Sequence, residues 1–348
     1  MLLAVPSAAL LRMSFFPAAG SMASFVAMLM VFSIALLFAG PSVQAHGLEA
    51  ENGNRQAGQG SPDTQAIIVL DDAGNTIVLS RPARRIISLY AALTESLVAL
   101  GQEESIIGRT VSDTKLPQLP VVGTHMRPNL ELVAGLQPDL IVLMEGREAV
   151  DSTAERLQSM GFAVVRFRVQ SFEDLFACIL RLGILTGSRE KAETLVAQYE
   201  TRLQAVRSLA RQCAARPSIF FEVRYPNLLG AGGHSILADI IHTAGGENSL
   251  GGYEDKFVRL NEEMLFSLNP DMYLVQEGAM NRNPLHPKER RHFLSLGAVR
   301  SGSVLLVPED LFSRPGPSSI AATELLGLYI RVWDAHRNAG TAPGRPGP

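Results

Sequence analysis

Short apolar runs separated by amphipathic stretches fill two parts of this chain, and a long helical stretch lies between them. Runs at 66–70 and 76–79 flank Asp72-Ala73-Gly74-Asn75 and predict a hairpin. Runs at 86–89, 106–108, 121–122, 139–143 and 162–167 then read as strands, with helices predicted over 94–100 and 152–160. From Ser171 to about Arg211 the spacing is helical almost throughout, broken only at Gly187-Ser188. After Pro217 the alternation resumes. Strands are expected at 218–223, 272–275 and 304–307, helices at 235–244, 288–296 and 318–334, and a glycine-rich turn at 230–233.

Strand and helix alternating in order build a parallel sheet covered by helices. The predicted fold class is therefore α/β: two Rossmann-like lobes with parallel sheets, joined by one long helix, with a ligand cleft between the lobes. Residues 66–170 form the first lobe, 171–215 the helical segment and 216–335 the second lobe. The helix beginning near Arg189 is longer than a crossover needs and fits a rigid strut.

An internal repeat supports two related lobes. Asn129-x-Glu131-x4-Leu136-x-Pro138-Asp139 returns as Asn261-x-Glu263-x4-Leu268-x-Pro270-Asp271, each copy running into an apolar strand. In each copy the Asn suits a helix N-cap, the Glu sits in the first turn where the helix dipole favours it, and Pro-Asp ends the helix. Two matched carboxylates on matched lobes suit a pseudo-symmetric partner that brings two matched cations.

The first 45 residues read as an export segment. Arg12 precedes an apolar run from Phe25 to Ala39, and Pro41 to Ala45 supply a turn and small residues for cleavage before His46. No Cys lies near that point, so a protein without a lipid anchor, in the periplasm of a double-membraned bacterium, is expected. Residues 46–65 read as a disordered lead-in and 336–348 as a disordered tail. Without Arg12, the 31 basic side chains become 30 against 34 acidic ones, a net charge near −4 that gives no reason to expect nucleic acid. Cys178 and Cys213 lie on helical stretches whose spacing does not imply a disulfide. Neither a G-x-S-x-G elbow nor a G-x-x-x-x-G-K-[ST] phosphate loop occurs, and Gly230-Ala231-Gly232-Gly233 lacks the third glycine of a dinucleotide turn, which speaks against an enzyme.

Taken with Ala244-Gly245-Gly246-Glu247-Asn248 and Ser313-Arg314-Pro315-Gly316-Pro317, the two repeat helices and the long linker helix resemble the periplasmic binding proteins of cobalamin, haem and iron-siderophore ABC importers. The resemblance covers roughly residues 66–335. It implies that Glu131 and Glu263 dock against arginines of a permease dimer served by ATPase subunits, and that a small metal chelate is bound, with no intrinsic cofactor and a monomeric protein. Ligand-binding candidates sit where loops leave the strands: Tyr90, His125 and Arg127 from the first lobe, and Arg224, Tyr225, His234, Tyr253 and Arg314 from the second. Ser88, Asn227 and the Arg259 region adjoin them.

The ligand stays open between a corrinoid and a ferric siderophore, with haem as the alternative. Haem-binding members carry Tyr-x-Arg in the first-lobe loop, where this chain has His125-Met126-Arg127; His125 is the metal ligand if haem or a bare metal is bound. Cobalamin binders often use Trp in the cleft, and the only Trp here is Trp333.

Overall fold

The computed structural model describes residues 66–146 and 148–340. The export segment, the lead-in and residues 341–348 of the expected tail lie outside the described residues.

The hairpin forms as read, with β1 (Ile67–Leu70) antiparallel to β2 (Thr76–Leu79). The first lobe continues as β3 (Ile86–Ser88), α1 (Ala91–Ala99), β4 (Ile106–Gly108), α2 (Leu130–Gly135), β5 (Leu140–Met144), α3 (Glu148–Ser159) and β6 (Val164–Phe167). Its sheet is parallel, in the order β4-β3-β5-β6. The run at 121–122 makes only a single parallel bridge to Arg109 and does not extend into a strand.

Two helices follow, α4 (Phe172–Thr186) and α5 (Arg189–Ala210), divided by Gly187 in the left-handed conformation at φ 71°. Ser171 closes a capping box with Asp174 at the start of α4. The second lobe holds β7 (Ser218–Arg224), β8 (Leu229–Ala231), α6 (Ile236–Ala244), β9 (Glu247–Asn248), β10 (Phe257–Arg259), α7 (Glu262–Leu268), β11 (Met272–Glu277), α8 (Gly297–Arg300), β12 (Val304–Pro308), α9 (Glu309–Phe312) and α10 (Ser318–Gly340). Its sheet is mixed and not wholly parallel: β7, β11 and β12 run parallel, while β8 and β10 add an antiparallel edge. The helix expected over 288–296 is instead two 3₁₀ turns, Pro287–Glu289 and Arg291–Ser295, because Arg290 between them points into the lobe. α10 runs past Asp334 to Gly340, so the first residues of the expected tail are helical.

The central strands are buried on both faces, which is why they read as unbroken apolar runs. Leu140 and Val142 of β5 face one core cluster while Ile141 and Leu143 face another; Ile219 and Phe221 of β7 and Phe220 divide in the same way. The shared cluster passes through α4, α5 and α10, with Leu182, Leu185, Tyr199, Leu203 and Ile330 among its members. α5 is thus packed against α4 and against α6 and α10 of the second lobe. Cys178 is buried in this core and Cys213 half-buried, and no disulfide joins them.

The repeat has one structural meaning in both lobes. Asn129 accepts a hydrogen bond from the Leu132 amide (3.1 Å) and Asn261 from Met264 (2.8 Å), the N-caps of α2 and α7. Gln137 and Asn269, the matched residues before Pro, both take positive φ, at 49° and 36°. The carboxylate of Asp139 then accepts from the amides of Arg84 and Arg85, at 2.9 Å each, just ahead of β3. Asp271 does the same for Ser218 at the start of β7, at 2.9 Å. Each Asp ties the strand it precedes to its parallel neighbour, and Leu136 and Leu268 pack each helix on its lobe.

Candidate ligand-binding site

In a parallel sheet the loops at the carboxyl ends of adjacent strands converge, and side chains there are exposed by a crevice. Leu89 and Tyr90 follow β3, Glu145 and Gly146 follow β5, and Arg168, Val169 and Gln170 follow β6. With His125 and, from the second lobe, Lys256 and Phe257, they line a cavity of about 320 Å³. Because Met144 is paired with Phe167 in the ladder, Glu145 and Arg168 leave the sheet side by side. They form an ion pair in which the Glu145 side chain is 5% exposed and the Arg168 side chain 59%. Arg168 is fixed at its backbone, where its amide donates to Asp72 at 2.7 Å, and Asp72 in turn holds Arg181 through two bonds of 2.7 and 2.9 Å.

His125 reaches the cavity because the chain turns sharply at Gly123, whose φ of 113° leaves no room for a side chain: a Cβ there would lie 2.8 Å from the Arg127 carbonyl. The imidazole meets the Tyr90 ring edge-on at 5.8 Å between centroids. Opposite them, the Lys256 ammonium lies 5.5 Å from the centre of the Phe257 ring. Two glycines hold that wall: a Cβ on Gly232 would fall 1.9 Å from the Asp255 carbonyl, and one on Gly233 would fall 2.5 Å from that of Gly251.

A second cavity of about 180 Å³ lies where α1 meets the start of α10, lined by Glu95, Asp113, Lys115, Asp310, Arg314 and Ser318 among others. Ser318 donates to Glu95 at 2.9 Å across the lobes, and Lys115 approaches the same carboxylate at 3.7 Å. Burial raises the Glu95 carboxyl above its usual range, and Lys115 and Ser318 only partly offset this.

Of the residues expected at the site, Tyr90 and His125 therefore meet in the larger cavity, and Arg314 lines the smaller. The others line neither. Arg127 is exposed beyond the turn, His234 is exposed, and Tyr253 is 42% exposed. Arg224 is half-buried, its Nε 3.5 Å from the Asn227 carbonyl, and Ser88 is buried with its hydroxyl donating to the Tyr90 carbonyl. Tyr225 is half-buried against the core of the second lobe, with the Arg290 guanidinium 3.9 Å from its ring centre and Phe293 at 5.6 Å. Glu145, Arg168, Gln170 and Lys256 were not foreseen; the first three stand directly after predicted strands, where the rule that picked Tyr90 also applies. Among the described residues no three His, Cys, Asp or Glu side chains gather as metal ligands. Glu131 and Glu263 are both exposed, one in the first turn of each repeat helix.

A model of the periplasmic binding protein family matches residues 86–311. The chain belongs to that family. An uncharacterised ABC transporter substrate-binding lipoprotein of Bacillus subtilis is 26% identical over 272 residues, covering 76% of this chain and 85% of its own. The periplasmic haem-binding protein RhuT of a Roseiflexus species shares the fold with a TM-score of 0.64 at 23% identity, covering 72% of this chain and 99% of that one. The periplasmic vitamin B12-binding protein BtuF of Vibrio cholerae does so with a TM-score of 0.63 at 21% identity, covering 72% and 98%. Both likenesses fit the two α/β lobes and the linking helix of this binding protein. Among the described residues no helix is long and apolar enough to cross a membrane.

Proposed function

We propose that this chain is the substrate-binding component of an ABC importer, which captures a corrinoid or a ferric siderophore in the cleft and delivers it to a permease dimer with its ATPase subunits. The observation that carries the reading is the matched pair of exposed glutamates, Glu131 and Glu263, on lobes that together wall a cavity. A binder with two equivalent carboxylates suits a receiver with two equivalent cations. The cavity supplies recognition, with aromatic faces at Tyr90 and Phe257 and charged groups at Glu145, Arg168 and Lys256. The protein acts as a binder and not as an enzyme, as a monomer, exported to the periplasm by residues 1–45 and released there without a lipid anchor. We assign residues 66–170 and 216–335 to the two lobes and 171–215 to the helical connection.

Haem is the second reading, favoured by His125 and Tyr90 meeting at the cavity, since either side chain ligates iron. The absorbance spectrum of protein purified from its native periplasm tests the proposal. A corrinoid, a ferric chelate or haem each gives its own bands, whereas protein that takes up none of the three on titration would refute the reading.

A further inference from the structure

The Glu145–Arg168 pair is an unusual element in a cavity wall. Glu145 is almost fully buried, and its Oε1 lies against a guanidinium nitrogen of Arg168, its neighbour of opposite charge. A carboxylate removed from water is costly unless a cation stays with it. Arg168 therefore cannot transfer itself to an anion on the ligand without stranding Glu145. An incoming carboxylate would in addition meet the like charge of Glu145. What the pair presents to the cavity is an acceptor beside a donor, the exposed side of the guanidinium. One neutral group satisfies both and leaves the ion pair intact: a carboxamide, whose N–H donates to Glu145 while its C=O accepts from Arg168. Gln170 in the same wall adds another group that both donates and accepts.

We infer that the Glu145–Arg168 pair is a subsite for a carboxamide on the rim of the ligand, so that the cleft selects chelates edged with amides over those edged with carboxylates. This rests on the importer reading and narrows it. Corrinoids, whose rim carries carboxamides, fall in the selected class, and haem, with two carboxylates, falls outside it.

The test is absorbance titration of the full mature protein with cyanocobalamin, with its mono-acid derivatives in which one rim amide is hydrolysed, with haem and with a ferric hydroxamate. Cyanocobalamin is expected to bind, and at least one mono-acid isomer to bind about ten- to hundredfold more weakly. In Glu145→Gln, checked for an unchanged melting temperature, that gap should shrink to about threefold or less, because the amide no longer repels the acid. Arg168→Gln should weaken cyanocobalamin itself. Mono-acids binding as tightly as the parent, or haem or the ferric hydroxamate binding more tightly than cyanocobalamin with no response to Glu145→Gln, would overturn the inference and leave the importer reading standing. If folded protein binds none of these chelates, the importer reading fails and the inference with it.

Discussion

Removing Arg290 isolates a buried charge, so its cost can be worked out from the contacts. The Glu222 carboxylate is fully buried and receives both terminal nitrogens of Arg290, the Tyr273 hydroxyl at 2.7 Å and the Asn281 amide at 3.2 Å. Arg290 also donates twice to the Leu285 carbonyl, at 3.0 and 2.6 Å, and covers the Tyr225 ring. Burial pushes the Tyr273 phenol up from its ordinary value, so it remains a neutral donor. Arg290→Ala leaves Glu222 with two neutral donors in place of a cation. Breaking one partner from a buried pair costs about 3–5 kcal/mol. At an unfolding entropy of about 2.1 cal/mol/K per residue, a folded part of this size loses about 5 to 9 °C of melting temperature. The internal control is Arg202→Ala. Arg202 makes an equally well aligned two-bond pair with Glu324, at 2.8 and 2.7 Å, but with side chains 42% and 39% exposed. Its loss should cost no more than about 1 kcal/mol. Adding Glu222→Gln to Arg290→Ala should recover part of the loss, since the stranded group is then uncharged. Circular-dichroism melts of the four proteins decide the matter. Should Arg290→Ala melt within error of Arg202→Ala, burial is not what gives this pair its weight.

Three further outcomes follow from other parts of the molecule. Glu131→Ala and Glu263→Ala should each leave ligand affinity unchanged and weaken uptake slightly, exposed ion pairs being worth less than about 1 kcal/mol apiece, while the double variant should be clearly impaired; wild-type uptake by the double variant would exclude docking through these helices. The raised Glu95 carboxyl means the folded state binds its proton more tightly than the unfolded state, so stability from this group is present below the ordinary carboxylate range and is lost as pH rises through the folded value; urea denaturation between about pH 4 and 7 should show wild type losing stability relative to Glu95→Gln, and parallel curves would contradict this. Gly232→Ala should displace the chain at Asp255, next to Lys256, and weaken ligand binding in titration more than it lowers the melting temperature; unchanged affinity would separate this wall from the ligand.

Both lobes were legible in the sequence because their central strands are buried on both faces and their repeat uses short-range chemistry. An Asn cap acts three residues away, and Pro-Asp ends a helix where it stands. What was not legible depends on long-range partners. β8 and β10 are three residues each, one containing glycine and the other polar at one end, and they pair only because Gly232 and Gly233 admit the backbone of residues 251–255. The helix expected over 288–296 gives way to 3₁₀ turns because Glu222, far back in sequence, draws Arg290 inward. The same contact sets the surroundings of Tyr225: it follows a strand as expected, half-buried, with its ring packed under a guanidinium from another loop. Glu145 and Arg168 failed for the opposite reason. They stood at strand ends in plain sight, but only the β5–β6 register turns two ordinary charges into one element of a wall.

The repeat also links the two ends of the proposed function. Asp139 and Asp271 tie α2 and α7 to the strands that carry their lobes, so each exposed glutamate sits on a support built by local hydrogen bonds. The lobes are joined through α4 and α5; α5, a helix of 22 residues, about 33 Å long, is packed on its buried side by α4 and by α6 and α10 of the second lobe. Bending it would break its own hydrogen bonds and the shared core together. The distance between Glu131 and Glu263 is thus expected to change little as the cleft fills. Recognition by the permease would then depend on small rotations at the cleft rim and not on a wide closure. Small-angle scattering gives the check: the radius of gyration with and without saturating ligand should agree, and a contraction of several ångströms would mean that α5 hinges.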